Sequence, residues 1–165
     1  MTDYLILTAV GALLHLDRLV PQLLFSRPIV AGPLLGLILG DFLLGLLLGS
    51  LLELFWIDRE PIGGYVTPDD SLVTIVGTGV LVIFSQTARP PGPELVFLTI
   101  LFFLPLAYLG QKVEVRLQKR NSHLAKKAER ESEQGNVTMV ERVHLQSLAE
   151  YVGFFAVIIF LISLA

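Results

Sequence analysis

Residues 27–75 read RPIVAGPLLGLILGDFLLGLLLGSLLELFWIDREPIGGYVTPDDSLVTI, setting glycines, prolines and carboxylates inside some of the most apolar sequence in the chain. Helix breakers and ionisable groups are costly at membrane depth, so a stretch that carries both marks a site more than a scaffold. The apolar run over residues 28–57 is 30 residues long. As one helix it would reach about 45 Å, against a hydrocarbon core of about 30 Å, so one straight span does not fit. Gly32, Gly36 and Gly40 form a small-residue track at a spacing of four, while Gly45 and Gly49 form a second, rotated by about 140° on an ideal helix. A break at Gly40-Asp41 accounts for the offset. It predicts two short helices of about 13–16 residues, a broken or re-entrant hairpin, with Asp41 capping the second through its side-chain oxygen. Direct substrate contact is the alternative role for Asp41.

Glu53 lies in SLLELFW with no glycine, proline or cationic residue adjacent. Neither a cap nor a local ion pair accounts for it, so it is expected to face protein or a water-filled cavity. Trp56 is three residues on and shares its helical face. A carboxylate beside an indole can grip a sugar, because hydroxyls donate to the carboxylate while the ring covers C–H groups. An interfacial aromatic anchor is the plainer reading of Trp56. Further on, Thr67 reads as an N-cap, Pro68 as the first helical residue, and Asp69 and Asp70 as first-turn acids of a helix over residues 68–88. Capping accounts for Asp70. Asp69, which follows the Gly63-Gly64 turn, is also placed to present a carboxylate at an unwound helix end.

The whole chain is built in keeping with this stretch. Its 165 residues are 53% hydrophobic and 16% charged, with a mean hydropathy of +0.70, whereas soluble domains average about 25% charged. This composition indicates an integral membrane protein with room for about four to six inserted segments and none for a separate soluble enzyme domain. The absence of cysteine removes disulfides, thiolate metal sites and cysteine-based phosphoryl chemistry. No metal or other cofactor is expected. Residues 112–142 hold eight of the twelve Lys and Arg residues, so the positive-inside rule assigns this loop to the cytoplasm. The interleaved Glu114, Glu129, Glu131, Glu133 and Glu141, with no aromatics nearby, argue against nucleic acid as a partner.

Outside the site region the segments read as architecture. Residues 4–25 form an apolar first helix, not a signal peptide, interrupted by His15, Asp17, Arg18 and Pro21. Asp17 and Arg18 point about 100° apart on a helix and need not pair. Arg18 reads as a snorkelling, interfacial residue. Residues 94–110 form a span kinked at Pro105, and residues 111–134 continue as a charged helix. Gly135-Asn136 supplies a turn. Thr138 and Glu141 have capping-box spacing for a last helix that enters the membrane through residues 151–164. A cytoplasmic helical arm over residues 111–147 follows. His15, His123 and His144 sit in an apolar helix, the charged arm and a helix start, and none is expected to accept a phosphoryl group.

Several of these residues carry a family pattern. Arg27-Pro28, Leu39-Gly40-Asp41, Gly45 and Gly49 with Leu52-Glu53, Ile62-Gly63 and Pro68-Asp69 resemble the signature of the IIC membrane subunit of mannose/fructose/sorbose-type bacterial phosphotransferase systems. A weaker match falls at Gly135-Asn136, Glu141 and His144. The resemblance implies a sugar permease subunit of the bacterial cytoplasmic (inner) membrane. Such a subunit assembles with a IID membrane subunit and is served by cytoplasmic IIA and IIB phosphocarriers. The sugar is phosphorylated from IIB as it reaches the cytoplasm, which implies that this chain is not itself an enzyme and carries no phosphorylated residue. The lack of a glycine-rich phosphate loop agrees with that division.

The expected protein is thus an all-α integral membrane protein: a broken or re-entrant helix hairpin, several transmembrane helices and a cytoplasmic helical arm. One IIC-type membrane domain would cover residues 1–165, with an N-terminal helix at 1–26, the site region at 27–75 and the arm at 111–147. A hexose-like sugar would be bound by Glu53, Asp69, Trp56, Gly63, Gly64 and Pro68. Glycine tracks facing the bilayer imply a homo-oligomer within the complex. Members of the family continue beyond the equivalent of Ala165. That leaves a second reading open, a non-transporting membrane assembly or regulatory subunit derived from a shortened permease.

Overall fold

A computed structural model describes residues 1–58, 63, 65–87 and 92–164, and every regular element among them is a helix. In chain order these are α1 (Thr2–Leu16), α2 (Pro28–Leu39), α3 (Phe42–Phe55), α4 (Asp70–Thr87), α5 (Pro93–Phe103), α6 (Leu106–Glu133) and α7 (Val137–Leu164).

Pro28 presets the backbone of the first turn of α2, and Gly40 ends that helix at a φ of 103°, a left-handed conformation that a side chain would resist. Asp41 then accepts a hydrogen bond from the Leu44 amide at 3.0 Å and so caps α3. The two helices, 12 and 14 residues long, fold back on one another as the offset glycine tracks predict. Their backbones touch. A Cβ on Gly32 would lie 2.5 Å from the Gly45 carbonyl oxygen and 2.9 Å from Gly49 Cα, and one on Gly36 would lie 2.5 Å from the Asp41 carbonyl oxygen. Removing the cap by Asp41→Ala should cost about 1 kcal/mol, read as a lower thermal midpoint, and Asp41→Asn should recover most of the loss.

α4 is the hub of the molecule. Residues 71–79 are all buried, and α1, α2, α3, α5, α6 and α7 pack around them. Helices crossing on all sides bury this stretch of α4, and Thr74 and Ser85 satisfy their hydroxyls on the helix itself, Thr74 Oγ1 donating to the Asp70 carbonyl at 2.8 Å and Ser85 Oγ to the Val82 carbonyl at 2.7 Å. The outside of the bundle is apolar instead. Leu37, Leu43, Leu54, Phe97, Phe102 and Leu161 are each more than half exposed, a surface that suits lipid and would be an aggregation liability in water. Two helical stretches, Pro93–Glu133 and Val137–Leu164, are long and apolar enough to cross a membrane, and the other apolar helices are shorter.

Beyond the bundle, α6 and α7 run on as the charged arm, each 28 residues. Gly135, at a φ of 73°, turns the chain between them, and Arg120 Nε pairs with Glu150 Oε2 across the two helices at 2.7 Å.

Local chemistry moves several boundaries from where the sequence predicts them. α1 stops at Leu16 instead of running to Phe25, because Asp17 turns the chain: its carboxylate accepts from Leu23 N at 2.7 Å and Ser26 N at 3.1 Å. α4 begins at Asp70, not Pro68, and the residue that caps it is Asp69, whose Oδ1 accepts from Leu72 N at 2.9 Å. The span over 94–110 is interrupted, with α5 ending at Phe103 and α6 starting at Leu106, since Pro105 has no N–H with which to continue the ladder. Asn136, not Thr138, caps α7, accepting from Met139 N at 3.3 Å. Gly64, and Ile62 of the family pattern, lie outside the described residues.

Candidate functional site

The α2–α3 hairpin decides where Glu53 goes. Folding back at Gly40-Asp41 returns the last turn of α3 to the first turn of α2, so that Glu53 Oε1 meets Arg27 Nη1 at 2.7 Å and Oε2 lies 3.3 Å from the Ile29 amide. The ion pair of Glu53 is not the local one that its sequence neighbours exclude, but one made across the hairpin. Its cationic partner stands 26 residues away in sequence, and its carboxylate faces the positive end of α2. Trp56, at the C-terminal end of α3, is buried to 6% exposure.

Arg18 is likewise not a snorkelling residue. Released from α1 by the Asp17 turn, its guanidinium reaches Asp70 Oδ1 at 2.5 Å, Thr67 Oγ1 at 3.0 Å and Glu114 Oε2 at 3.3 Å. Its side chain is only 16% exposed. It thus ties the end of α1 to the start of α4 and to α6. Thr67, expected as a helix cap, accepts from Arg18 instead. The segment before α4 is laid along α6 by its backbone: the Val66 carbonyl accepts from the Gln111 side chain, and the Asp69 amide donates to the Ala107 carbonyl at 2.8 Å.

These groups enclose a polar cavity of about 440 Å³, within the range of about 300–1,000 Å³ typical of small-molecule sites. Arg18, Arg27, Glu53, Trp56, Asp70 and Glu114 line it, with Gln22, Gln118, Tyr65, Val66 and Thr67 completing the wall. Two guanidinium groups face three carboxylates, one net negative charge among the described lining residues. Such a wall is rich in acceptors for hydroxyl donors and repels an anionic ligand. The indole adds an apolar face.

Of the sequence-predicted residues, Glu53 and Trp56 are brought together here. Pro68 and Asp69 are buried behind the wall and do not line the cavity. Asp69 is fully buried and its oxygens are engaged, Oδ1 at Leu72 N and Oδ2 at His15 Nε2, 2.8 Å away. Gly63 is exposed in a left-handed turn with φ 68° and open space where a side chain would be. Gly64 is not described. Sequence reasoning missed Arg18, Arg27, Asp70 and Glu114 as cavity residues. For Arg27 a signal existed, since pairing Gly36 with Gly45 and Gly32 with Gly49 sets Pro28 opposite Glu53. For Glu114 no local signal distinguishes it from the other arm carboxylates.

Comparison with known proteins places the geometry in context. A family model described as the sorbose-specific IIC component of the phosphotransferase system (PTS) matches residues 1–165. The PTS mannose-specific EIIC component of Escherichia coli is 28% identical over 139 residues, covering 84% of this chain and 49% of that protein. The PTS sorbose-specific EIIC component of Lacticaseibacillus casei is 30% identical over 122 residues, covering 74% of this chain and 41% of that protein. The chain spans about half the length of the curated relatives it matches. A cryo-electron microscopy structure of the mannose transporter ManYZ in complex with a microcin aligns with a TM-score of 0.84 at 25% identity, covering 100% of this chain and 64% of the matched one.

Proposed function

Because this chain belongs to the family of sorbose-specific IIC components of the phosphotransferase system, we propose that it is the sugar-translocating membrane subunit of such a system. In this reading a hexose-like sugar is taken up through it and phosphorylated from a IIB phosphocarrier, and no group on this chain is phosphorylated. The observation that carries the reading is the cavity of about 440 Å³ in which Glu53 and Trp56 share a wall with Arg18, Arg27, Asp70 and Glu114. Carboxylates accept sugar hydroxyls, guanidinium groups donate to ring and hydroxyl oxygens, and the indole covers C–H groups. Asp69 and Pro68 serve from behind the wall, Gly63 supplies a left-handed turn ahead of it, and Gly64 is proposed with them as a substrate-binding residue. Relatives described as mannose, sorbose and fructose components support a hexose as the ligand.

The partners follow from the same family membership: a IID membrane subunit, as the ManYZ complex suggests, cytoplasmic IIA and IIB proteins, the lipid bilayer and further copies of this chain. The chain is then multi-pass in the bacterial inner membrane, as one IIC-type domain, with an N-terminal segment at 1–26 whose helix ends at Leu16, the site region at 27–75 and the arm at 111–147. The α2–α3 pair is a re-entrant hairpin, and the basic loop 112–142 faces the cytoplasm under the positive-inside rule.

Sugar uptake and equilibrium binding by the complete complex test the reading. Glu53→Gln should weaken binding by about tenfold or more, the loss of a charged acceptor at a polar site. Arg27→Gln breaks the same ion pair but leaves the carboxylate in place, so it should be the milder change. Equal losses from the two variants would reduce Glu53 to an anchor for Arg27, and unchanged binding in an assembled Glu53→Gln complex would remove it from the site.

A further inference from the structure

His15 stands in α1 with its side chain fully buried, and the cavity does not include it. Its ring stacks on Phe155 at a centroid distance of 3.7 Å and lies 5.5 Å from Tyr151, both on α7. Its Nε2 is 2.8 Å from Asp69 Oδ2, whereas Nδ1 is buried with no hydrogen-bond partner among the described residues. A phenylalanine would fill that slot against Phe155 without leaving a polar atom unsatisfied, and burying such an atom costs about 1–3 kcal/mol. Packing therefore favours a different residue. Among the described residues the polar tie of the ring is the bond to Asp69, and Asp69 sits where the cavity wall is assembled. Its Oδ1 caps α4 through Leu72 N at 2.9 Å, its amide is fastened to Ala107 of α6 at 2.8 Å, and its Oδ1 is 4.0 Å from Arg18 Nη1. Gly110 leaves it no space to move toward α6, since a Cβ there would lie 2.5 Å from Asp69 Cβ.

Resting on the sugar-binding reading above, we propose that His15 is a positioning residue of the cavity: through Asp69 it sets the start of α4 and with it the Arg18 guanidinium. Two of the groups that hold Arg18, the Thr67 hydroxyl and the Asp70 carboxylate, flank Asp69 in the chain. Turning the Asp69 carboxylate away from His15 displaces both, and Arg18 with them. Because the ring is stacked on Phe155, a shift of α7 reaches the cavity wall through a single side chain, and α7 is the helix that continues into the charged arm. Among the described residues the charged groups around this unit are Arg18, 4.0 Å from Asp69, and Asp70 and Glu114, which Arg18 holds on the cavity side.

Two variants separate positioning from packing. His15→Phe keeps the stack on Phe155 and loses the bond to Asp69. His15→Gln loses the stack but places an amide nitrogen near the position of Nε2, where it can donate to Asp69. In the purified complex containing the full chain, binding of radiolabelled mannose, fructose and sorbose is measured. Positioning predicts that His15→Phe weakens the sugar that binds by about tenfold while His15→Gln stays within about threefold of the parent. A His15→Phe complex that binds as the parent does, or a His15→Gln complex that is as impaired as His15→Phe, overturns it. His15→Met replaces His15→Phe should that variant not assemble.

A second measurement does not depend on sugar. His15→Phe and Arg18→Lys, combined in a double-mutant cycle read by thermal midpoint, should be non-additive by several degrees. Shifts that add to within about 1 °C overturn the proposal. A parent complex that binds none of the three sugars removes the sugar-binding reading, and the cycle then decides the role of His15 alone.

Discussion

Gly45→Ala should cost the protein its α2–α3 hairpin, whereas the same change at Gly153 should leave it as stable or more so. Both glycines lie inside helices, where exchanging glycine for alanine is worth about 0.5–1 kcal/mol in favour of the helix. What differs is the space. A Cβ on Gly45 would overlap the Gly32 carbonyl oxygen and lie 2.9 Å from Gly36 Cα, while a Cβ on Gly153 meets nothing within 4 Å. The atoms struck at Gly45 belong to helix backbone, which cannot rotate aside as a side chain can, so the two helices must move apart. Separation also pulls Glu53 from Arg27 and from the α2 N-terminus, because that contact is made only while the hairpin is closed. The expected loss exceeds about 3 kcal/mol, the upper end for overpacking in a close-packed interior. Thermal unfolding in detergent reads it: a midpoint lower by many degrees for Gly45→Ala and equal or higher for Gly153→Ala. Equal midpoints for the two would mean that the backbones are not in contact.

The hairpin was legible in the sequence because its cause is local and periodic. Glycines recur every fourth residue, the phase slips at Gly40-Asp41, and only a turn reconciles the two tracks. That Glu53 and Trp56 come together on one cavity wall has a related cause: an acid and an indole one helical turn apart in an otherwise apolar run stand out without knowledge of the fold. The partners of Glu53 and the rest of the wall were not read in the same way. Arg27 is distant in sequence and close only through the hairpin register. Arg18 looked interfacial because Asp17, its neighbour, was read as part of a helix, whereas Asp17 binds Leu23 N and Ser26 N and ends it. Asp69 and Asp70 exchanged roles for a reason that lies outside α4. The 66–69 segment is fastened to α6, which starts the helix at Asp70, makes Asp69 the cap and turns the Asp70 carboxylate to Arg18. Pairings such as His15 with Asp69, 54 residues apart, leave no periodic trace in the chain.

Replacing Arg18 should be the most damaging single change in the cavity wall. Arg18→Met preserves most of the side-chain volume and removes the charge that holds Asp70 at 2.5 Å and Glu114 at 3.3 Å, with Asp69 at 4.0 Å behind them. Three carboxylates then converge from α4 and α6 with no cation between them. Breaking a buried ion pair from one side costs about 3–5 kcal/mol, since the remaining charge is left desolvated and uncompensated. The cavity admits water to this cluster, which sets the expected value near the lower end, about 3 kcal/mol. The cost comes from stranded carboxylates, so removing them should return part of it. Arg18→Met combined with Asp70→Asn and Glu114→Gln is expected to be more stable than Arg18→Met alone, even though each of the added changes is destabilising in the parent. A thermal midpoint for the triple variant at or below that of the single one would show that Arg18 acts through packing instead of charge. In the proposed sugar-binding reading, affinity for the sugar should respond differently. The triple variant restores the fold but not the donors and acceptors of the wall, so its affinity is expected to stay at least about tenfold below the parent's, which separates the part of Arg18 that holds the helices together from the part that faces the ligand.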